Sequence, residues 1–169
     1  MRGGAPGDRG CFSMSFRPIL LVEDNPRDIE LTIEALKLSN MANELIVVND
    51  GQEALDYLRC QGRYAGRDGA APCVVLLDLK LPKVGGLEVL AILKSDDRLR
   101  RIPVVMLTAS KEEGDVVASY QLGTNAYVVK PIAFTEFLQA VRDIGAFWGI
   151  LNNAPAANAQ SAEALSSVA

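Results

Sequence analysis

Residues 74–82 read VVLLDLKLP, in which four large apolar residues run directly into the carboxylate of Asp78. A continuous apolar run of this kind is typical of a strand that is buried on both faces in a parallel sheet. Open α/β folds bind their ligands in the crevice at the carboxyl ends of such strands. Asp78 is therefore either part of a ligand-binding crevice or the first residue of an ordinary turn.

The length and composition of the chain indicate one globular domain. Its 169 residues can enclose a full hydrophobic core, and 49% hydrophobic and 22% charged residues are typical globular values. The formal net charge of −4 gives no sign of a nucleic-acid-binding surface. No apolar run is long enough to span a membrane and no apolar signal core lies near the N-terminus, so a cytoplasmic location is expected.

The residue types present narrow the available chemistry. The chain contains no histidine, which excludes His-based triads, histidine metal sites and histidine proton shuttles. The three cysteines, Cys11, Cys60 and Cys73, lack the spacing of a metal site. Cys73 directly precedes the apolar run and is expected to be a small core residue.

Strands and helices are predicted to alternate along the chain. The predicted strands are residues 18–22, 44–48, 74–78, 102–107 and 126–129. The predicted helices run from Pro26 to about Ser39, through Ala54–Leu58, through Leu87–Leu93, from Lys111 to Leu122 and from about Thr135 to Leu151. Ile29, Ile33, Leu36 and Leu38 lie at roughly helical spacing and are expected on the apolar side of the first helix. The alternation predicts a parallel sheet with helices on both faces and right-handed crossovers.

Both ends of the chain lack such periodicity. Residues 1–16 are rich in Gly and Arg and are expected to be a flexible extension. Residues 153–169 are rich in Ala, Ser and Asn and are expected to be disordered. The domain is therefore assigned to residues 17–152, with residues 61–72 as a surface loop inside it.

Polar side chains follow the apolar run of several strands. The carboxyl ends of parallel strands share one edge of the sheet, where Glu23, Asp24, Asp78, Thr108 and Lys130 are expected to gather. Crowded carboxylates raise one another's pKa, and a divalent cation relieves the repulsion. Mg²⁺ is the natural candidate, because it binds a few carboxylate oxygens and keeps water or phosphate oxygens in its remaining positions.

Such a set of residues suits phosphoryl transfer to a carboxylate. Asp78 would be the nucleophile, Thr108 would donate a hydrogen bond, and Mg²⁺ and Lys130 would neutralise charge on the transferred oxygens. Each residue alone also has an ordinary explanation: Glu23 and Asp24 as acids at a helix N-terminus, Thr108 as a turn residue and Lys130 as a surface charge. Their joint occurrence at the strand ends is much less expected by chance.

Several short motifs stand at these strand ends. They are LLVEDN at residues 20–25, DLKLP at 78–82 with Gly86 beyond it, LTA at 107–109, Tyr127, and KP at 130–131. Together they resemble the receiver domain of bacterial two-component response regulators, over roughly residues 17–151. The resemblance implies a flavodoxin-like (βα)5 fold, a doubly wound five-stranded parallel sheet in the order 2-1-3-4-5.

The resemblance also implies roles for the acidic residues. Asp78 is expected to be the phospho-acceptor, and Glu23 and Asp24 correspond to the family's acidic pair. Asp24 would be the more direct Mg²⁺ ligand, and the backbone carbonyl of Lys80 would complete the metal shell. The first acidic position is often Asp in this family; Glu23 is longer, so its contact with the metal can pass through water.

Three further residues are expected to form the switch. Thr108 is the hydroxyl that turns toward the phosphoryl group, and Tyr127 is the aromatic residue that rotates inward behind it. Lys130 pairs with the phosphoryl group. Its peptide bond to Pro131 is expected to be cis.

Four additional features narrow the resemblance. They are EDNP at residues 23–26, NDGQEAL at 49–55, the long loop before Asp78, and FWGILN at 147–152. These features are similar to those of the small receivers that partner phytochrome-type histidine kinases. The expected partner is a sensor histidine kinase, with a bacteriophytochrome as the candidate. Because the chain lacks histidine, the phosphoryl group is expected to come from a phosphohistidine on another protein.

The expected output is a change in a protein-binding face. The fourth helix, the fifth strand and the last helix would shift on phosphorylation, and a homodimer through this face is expected. The candidate apolar residues of the face are Val116, Val117, Tyr120, Phe147 and Ile150. Trp148 in the last helix favours the homodimer.

Two alternatives use a related fold. An aspartyl-phosphate phosphatase usually needs a second acid near the nucleophile, and the residue two after Asp78 is Lys80. A flavin-binding carrier needs a phosphate-cradling loop after the first strand, where Glu23 and Asp24 would repel phosphate. The chain is therefore expected to be a phospho-acceptor switch that phosphorylates and dephosphorylates itself, not a turnover enzyme, and to bind no organic cofactor.

Overall fold

A five-stranded parallel sheet forms the centre of the molecule. The computed structural model describes residues 17–38, 43–130, 135–136, 139–140 and 143–144. The strands are β1 (Ile19–Val22), β2 (Leu45–Val48), β3 (Val74–Leu77), β4 (Val104–Thr108) and β5 (Ala126–Val129). Their order in the sheet is β2-β1-β3-β4-β5, and every neighbouring pair is parallel. The predicted doubly wound, flavodoxin-like sheet is confirmed.

Helices connect successive strands. Among the described residues they are α1 (Pro26–Leu38), α2 (Gly51–Arg59), α3 (Gly86–Ser95) and α4 (Glu113–Gln121), with a short 3₁₀ turn at Gly62–Tyr64 before β3. Of the predicted last helix, residues 135–136, 139–140 and 143–144 have helical backbone. Phe147, Trp148 and Ile150 lie outside the described residues, as do both predicted flexible ends.

The sheet has a hydrophobic core on each face. Leu20, Val22 and Leu77 pack with residues of α2 and α3, whereas the alternating residues Leu21 and Leu76 pack with residues of α1. Because both faces are covered, all four residues of β3 are buried, which explains the continuous apolar run. Within the described part of the chain, no helix has the length and apolar character to cross a membrane.

Of two apolar residues that were expected to be buried, Cys73 is buried and Leu38 is exposed. Cys73 is buried at the start of β3, as predicted. Leu38 was expected on the apolar side of α1, and this was wrong: it is 55% exposed at the last residue of the helix. Leu38 comes two residues after Leu36, about 200° further around the helix, so it points away from the sheet. The core contacts are made by Ala35 and Leu36 instead.

The register of the strands fixes the positions of the polar residues that follow them. Val22 pairs with both Val48 and Leu77, so Glu23 and Asp78 leave the sheet at the same level. The backbone ladder continues into these residues: the Asp78 N–H donates to Val22 O over 3.0 Å, and the Glu23 N–H donates to Val48 O over 3.0 Å. The site residues are therefore anchored by their own main chain.

Candidate metal centre

Three carboxylates meet at the carboxyl edge of the sheet. Glu23, Asp24 and Asp78 each offer an oxygen, and these oxygens all lie within 4.8 Å of one another. Glu23 and Asp78 are only 2% and 8% exposed, whereas Asp24 faces solvent. A small group of carboxylate oxygens with one open side suits a hard divalent cation that keeps part of its water shell. The residues present therefore fit a divalent metal.

Lys130 lies beside this acidic group. Its Nζ donates to Glu23 Oε2 over 2.5 Å and to Asp28 Oδ2 over 2.7 Å, and it lies 3.5 Å from Asp78 Oδ1. The side chain is only 10% exposed, and a charge at that depth needs such partners. Burial alone lowers the pKa of Lys130, but its bonds to Asp28 and Glu23 and the charge of Asp78 outweigh burial and raise that pKa. Lys130 is therefore a fixed positive charge.

The two adjacent acids, Glu23 and Asp24, differ in their surroundings. Glu23 Oε1 accepts from the Asn25 N–H over 3.1 Å while Oε2 accepts from Lys130. Burial raises the pKa of Glu23, and its bonds to Lys130 and Asn25 only partly oppose that rise. In the described part of the chain, the Asp24 carboxylate has no hydrogen bond or ion pair. Asp24 thus presents the freer oxygens to a cation.

The Asp78 carboxylate is held from two sides. Its Oδ2 accepts from the Lys80 N–H over 3.3 Å, and its Oδ1 faces Lys130. The β3–α3 loop folds closely around its main chain: a Cβ on Gly86 would lie 2.1 Å from Asp78 O. The structure thus brings the Lys80 backbone to the site, while the role of its carbonyl stays a prediction.

Thr108 and Tyr127 are both hydrogen-bonded to Ser110. Thr108 is buried at the end of β4, and its Oγ1 accepts from the Ser110 N–H over 3.3 Å. The Tyr127 hydroxyl donates to Ser110 O over 3.2 Å. Burial raises the pKa of this hydroxyl, and the bond to Ser110 opposes that effect. The Lys130 N–H donates to Thr108 O over 2.7 Å, so Thr108 and Lys130 are adjacent.

Sequence reasoning missed two residues of this region. Asp28 pairs with Lys130, but an acid in the first turn of a helix usually needs no further explanation. The Ser110 hydroxyl donates to Asp115 Oδ2 over 2.5 Å and so connects the β4–α4 loop to α4. Its only sequence signal was its position two residues after Thr108. The predicted cis bond between Lys130 and Pro131 falls outside the described residues.

The chain matches known proteins over most of its length. The family model of the response regulator receiver domain matches residues 19–142. Response regulator Rcp1 of Synechocystis sp. (strain ATCC 27184 / PCC 6803 / Kazusa) is 45% identical over 130 residues, which are 77% of this chain and 87% of Rcp1. The Mn(2+)-bound form of Rcp1 has a TM-score of 0.77 at 44% identity and covers 83% of this chain and 99% of its own.

Two further solved structures are similar. The phosphorylated cyanobacterial phytochrome response regulator RcpA has a TM-score of 0.78 at 45% identity, covering 83% of this chain and 99% of its own. The bacteriophytochrome response regulator AtBRR has a TM-score of 0.67 at 62% identity, covering 82% of this chain and 99% of its own. With the sheet order and the site geometry, these matches identify a signalling switch: the chain belongs to the response regulator receiver domain family.

Proposed function

We propose that Asp78 accepts a phosphoryl group from a partner histidine kinase, with Mg²⁺ held by Glu23, Asp24, Asp78 and the Lys80 carbonyl. The observation that carries this proposal is the meeting of three carboxylates within 4.8 Å beside the buried ammonium of Lys130. Receiver domains accept phosphoryl groups from sensor histidine kinases. The similarity to Mn²⁺-bound Rcp1 supports divalent metal chemistry, and Mg²⁺ is our choice among such ions.

The described residues suggest how each participant acts. An Asp78 oxygen attacks phosphorus, the bond from phosphorus to the donor nitrogen breaks, and the donor histidine keeps the electron pair. A bound Mg²⁺ would supply positive charge to the transferred oxygens. Lys130, which stays protonated because its pKa is raised, would bind one of these oxygens. Hydrolysis of the product by water would reset the switch.

The switch itself would involve Thr108 and Tyr127. The Thr108 hydroxyl would turn toward the new phosphoryl group and release the Ser110 N–H that it now accepts. Tyr127, whose ring is partly buried against the core, would move inward behind it. Because the Tyr127 hydroxyl also bonds to Ser110, both movements would act on the loop that precedes α4.

We further propose a bacteriophytochrome as the kinase, acting in the cytoplasm. This partner is supported by the 62% identity to AtBRR, a bacteriophytochrome response regulator. The predicted test is transfer from a purified bacteriophytochrome kinase that carries labelled phosphohistidine. We expect this kinase to label the chain faster than an unrelated histidine kinase does. Equal rates from both kinases would contradict the proposed partner without affecting the phospho-acceptor.

The phospho-acceptor is tested with acetyl phosphate and Mg²⁺. Intact mass and peptide mapping are expected to show one added phosphoryl group at Asp78, absent in Asp78→Asn and absent after chelation of the metal. Asp97→Asn, which changes an exposed acid in the α3–β4 loop, is the matched control and should be labelled like the unchanged chain. Labelling of Asp78→Asn to the same extent would overturn the assignment.

The aspartyl-phosphate phosphatase alternative is not favoured by the family assignment. It predicts repeated turnover of a small phosphate ester such as p-nitrophenyl phosphate. A switch is expected to release no more product than one equivalent per chain before its own phosphoryl group is hydrolysed. Multiple rapid turnovers would favour the enzyme over the switch.

A further inference from the structure

Asp28 makes a contact that the proposed function does not use. Of the three carboxylates paired with Lys130 in the described part of the chain, Asp28 alone lies outside the acidic metal group. Its Oδ2 is 2.7 Å from Lys130 Nζ, closer than the 3.5 Å of Asp78 Oδ1. The contact joins the first turn of α1 to the end of β5, which are 102 residues apart in sequence.

The backbone around Asp28 is well anchored. Asp28 lies in the first turn of α1, and its carbonyl accepts from the Thr32 hydroxyl over 2.7 Å. The Thr32 side chain is itself buried. Asp28 therefore projects its carboxylate from an anchored helical turn, and it is not one of the three residues of the acidic metal group.

The other two partners of Lys130, Glu23 and Asp78, are also candidate metal ligands. Glu23 and Asp78 belong to the metal group, and a cation bound there would draw their oxygens away from the ammonium. An ammonium has three N–H donors. Asp28 can keep one of them while another is directed at a phosphoryl oxygen, so the lysine would stay beside Asp78 throughout.

Resting on the proposed function, we infer that Asp28 is a positioning residue, which holds Lys130 beside Asp78 while the metal and the phosphoryl group take up the other carboxylates. It does not touch the reacting atoms. Its effect is exerted through the ammonium, whose bond to Asp28 is charge-assisted and therefore both short and directional. The ordinary explanation is that Asp28 only favours the N-terminus of α1 electrostatically. That explanation requires no contact with Lys130.

The first experiment compares labelling rates at saturating Mg²⁺ with acetyl phosphate. Asp28→Ala is expected to slow labelling of Asp78 about tenfold, as misplacement of a group that binds the transferred oxygens does. The labelling rate of Asp28→Asn, which keeps an oxygen but loses the charge, should lie between those of the unchanged chain and Asp28→Ala. Glu30→Ala is the matched control, because Glu30 is an exposed acid in the same helix. Mn²⁺ affinity of Asp28→Ala should change less than about twofold, since Asp28 is not a metal ligand.

A second experiment separates positioning from helix stability. In a Lys130→Met background, Asp28→Ala is expected to have no further effect on labelling, because the two residues act as one unit. The affinity for beryllofluoride at saturating Mg²⁺ tests positioning as well, and this measurement does not need the lysine variant. We expect Asp28→Ala to lower it about tenfold and Glu30→Ala to leave it unchanged.

The outcomes distinguish the inference from the function on which it rests. If the unchanged chain is not labelled, the proposed function fails and the inference with it. If the unchanged chain is labelled but Asp28→Ala behaves like Glu30→Ala, only the inference is overturned. Equal slowing with and without Lys130, a parallel loss of Mn²⁺ affinity, or an unchanged beryllofluoride affinity would also overturn it.

Discussion

Adjacent acids can have unequal roles when their partners differ. Both oxygens of Glu23 are engaged, by Asn25 and Lys130, whereas Asp24 is exposed and, within the described residues, unpaired. We expect Asp24→Asn to weaken Mn²⁺ and Mg²⁺ binding about a hundredfold, and Glu23→Gln only about tenfold. Isothermal titration calorimetry of both variants measures the difference. Equal losses would show that the two acids coordinate equivalently.

The burial of Lys94 is expected to make the free energy of unfolding depend on pH, independently of the metal centre. Its Nζ donates to Ile102 O over 2.9 Å and to Arg100 O over 3.2 Å, and burial lowers its pKa from 10.5. Between the lowered pKa and 10.5, the unfolded chain binds more protons than the folded one. The free energy of unfolding should therefore rise with pH across this window.

The measurement compares the unchanged chain with Lys94→Met, which cannot titrate at this position. Urea denaturation from neutral pH toward 10.5 should show the unchanged chain gaining stability relative to the variant. Other groups titrate in both proteins and cancel in the difference. Two parallel stability curves would contradict the expected effect of burial on Lys94.

At the scale of elements, two neighbouring glycines of the β3–α3 connection differ sharply. A Cβ on Gly86 would lie 2.1 Å from Asp78 O and 2.8 Å from Leu79 Cα, whereas a Cβ on Gly85 would meet nothing within 4 Å. Gly86→Ala must push the main chain of Asp78 away, and it should cost about 2–3 kcal/mol of stability and slow labelling by acetyl phosphate. Gly85→Ala is the matched control and should cost at most about 1 kcal/mol at this helix N-cap. Urea denaturation of both variants measures the two losses of stability. Equal stability of the two variants would refute the close approach of Gly86 to the Asp78 main chain.

The elements were largely predictable from the sequence, because most are marked either by apolar residues at helical spacing or by a short continuous apolar run. The run at β3 is buried on both faces, and this is why it shows no alternation. Residue type alone does not distinguish Gly85 from Gly86. The family motif includes Gly86, but the physical reason, a close approach to the Asp78 carbonyl, depends on the path of the β3–α3 loop. Leu38 was misassigned because it was grouped with Leu36, although two residues correspond to about 200° around a helix and place Leu38 on the exposed side.

Most residues of the site, but not Asp28, were predictable from the sequence. Parallel strands place their ends on one edge, so the approach of Glu23, Asp24, Asp78 and Lys130 follows from topology alone. Asp28 was not predicted, because its contact with Lys130 depends on how the first turn of α1 is oriented over the end of β5. An acid in a first turn has a sufficient local explanation, and sequence offers no reason to look beyond it.

At the scale of the whole molecule, the metal centre and α4 are joined by a short series of contacts. The Lys130 N–H bonds to Thr108, whose hydroxyl accepts from Ser110. Ser110 in turn bonds to Tyr127 and to Asp115 of α4. If the Thr108 hydroxyl turns away from Ser110, as the proposed switch requires, it releases a bond in the loop that precedes α4. We therefore expect the output to act through the outer surface of α4.

That surface carries two exposed apolar side chains of α4, Val117 at 48% and Tyr120 at 53% exposure. In the homodimer that the sequence predicts through α4, β5 and the last helix, they would be covered by a second copy. Replacing both with Asp is expected to abolish the dimer, because like charges would meet at the contact and the apolar area would be lost. Sedimentation velocity with beryllofluoride and Mg²⁺ measures the oligomeric state.

The control for this experiment is Leu38→Asp, which places a charge at an equally exposed apolar residue of α1, outside the proposed face. It should leave the dimer intact, whereas Val117→Asp/Tyr120→Asp should be monomeric in every state. Asp78 should still be labelled by acetyl phosphate in both variants, since neither change removes an acidic residue of the metal group or Lys130. A monomer for the unchanged chain with beryllofluoride bound would refute the dimer. A dimer that survives the α4 changes would place the contact between copies on another surface.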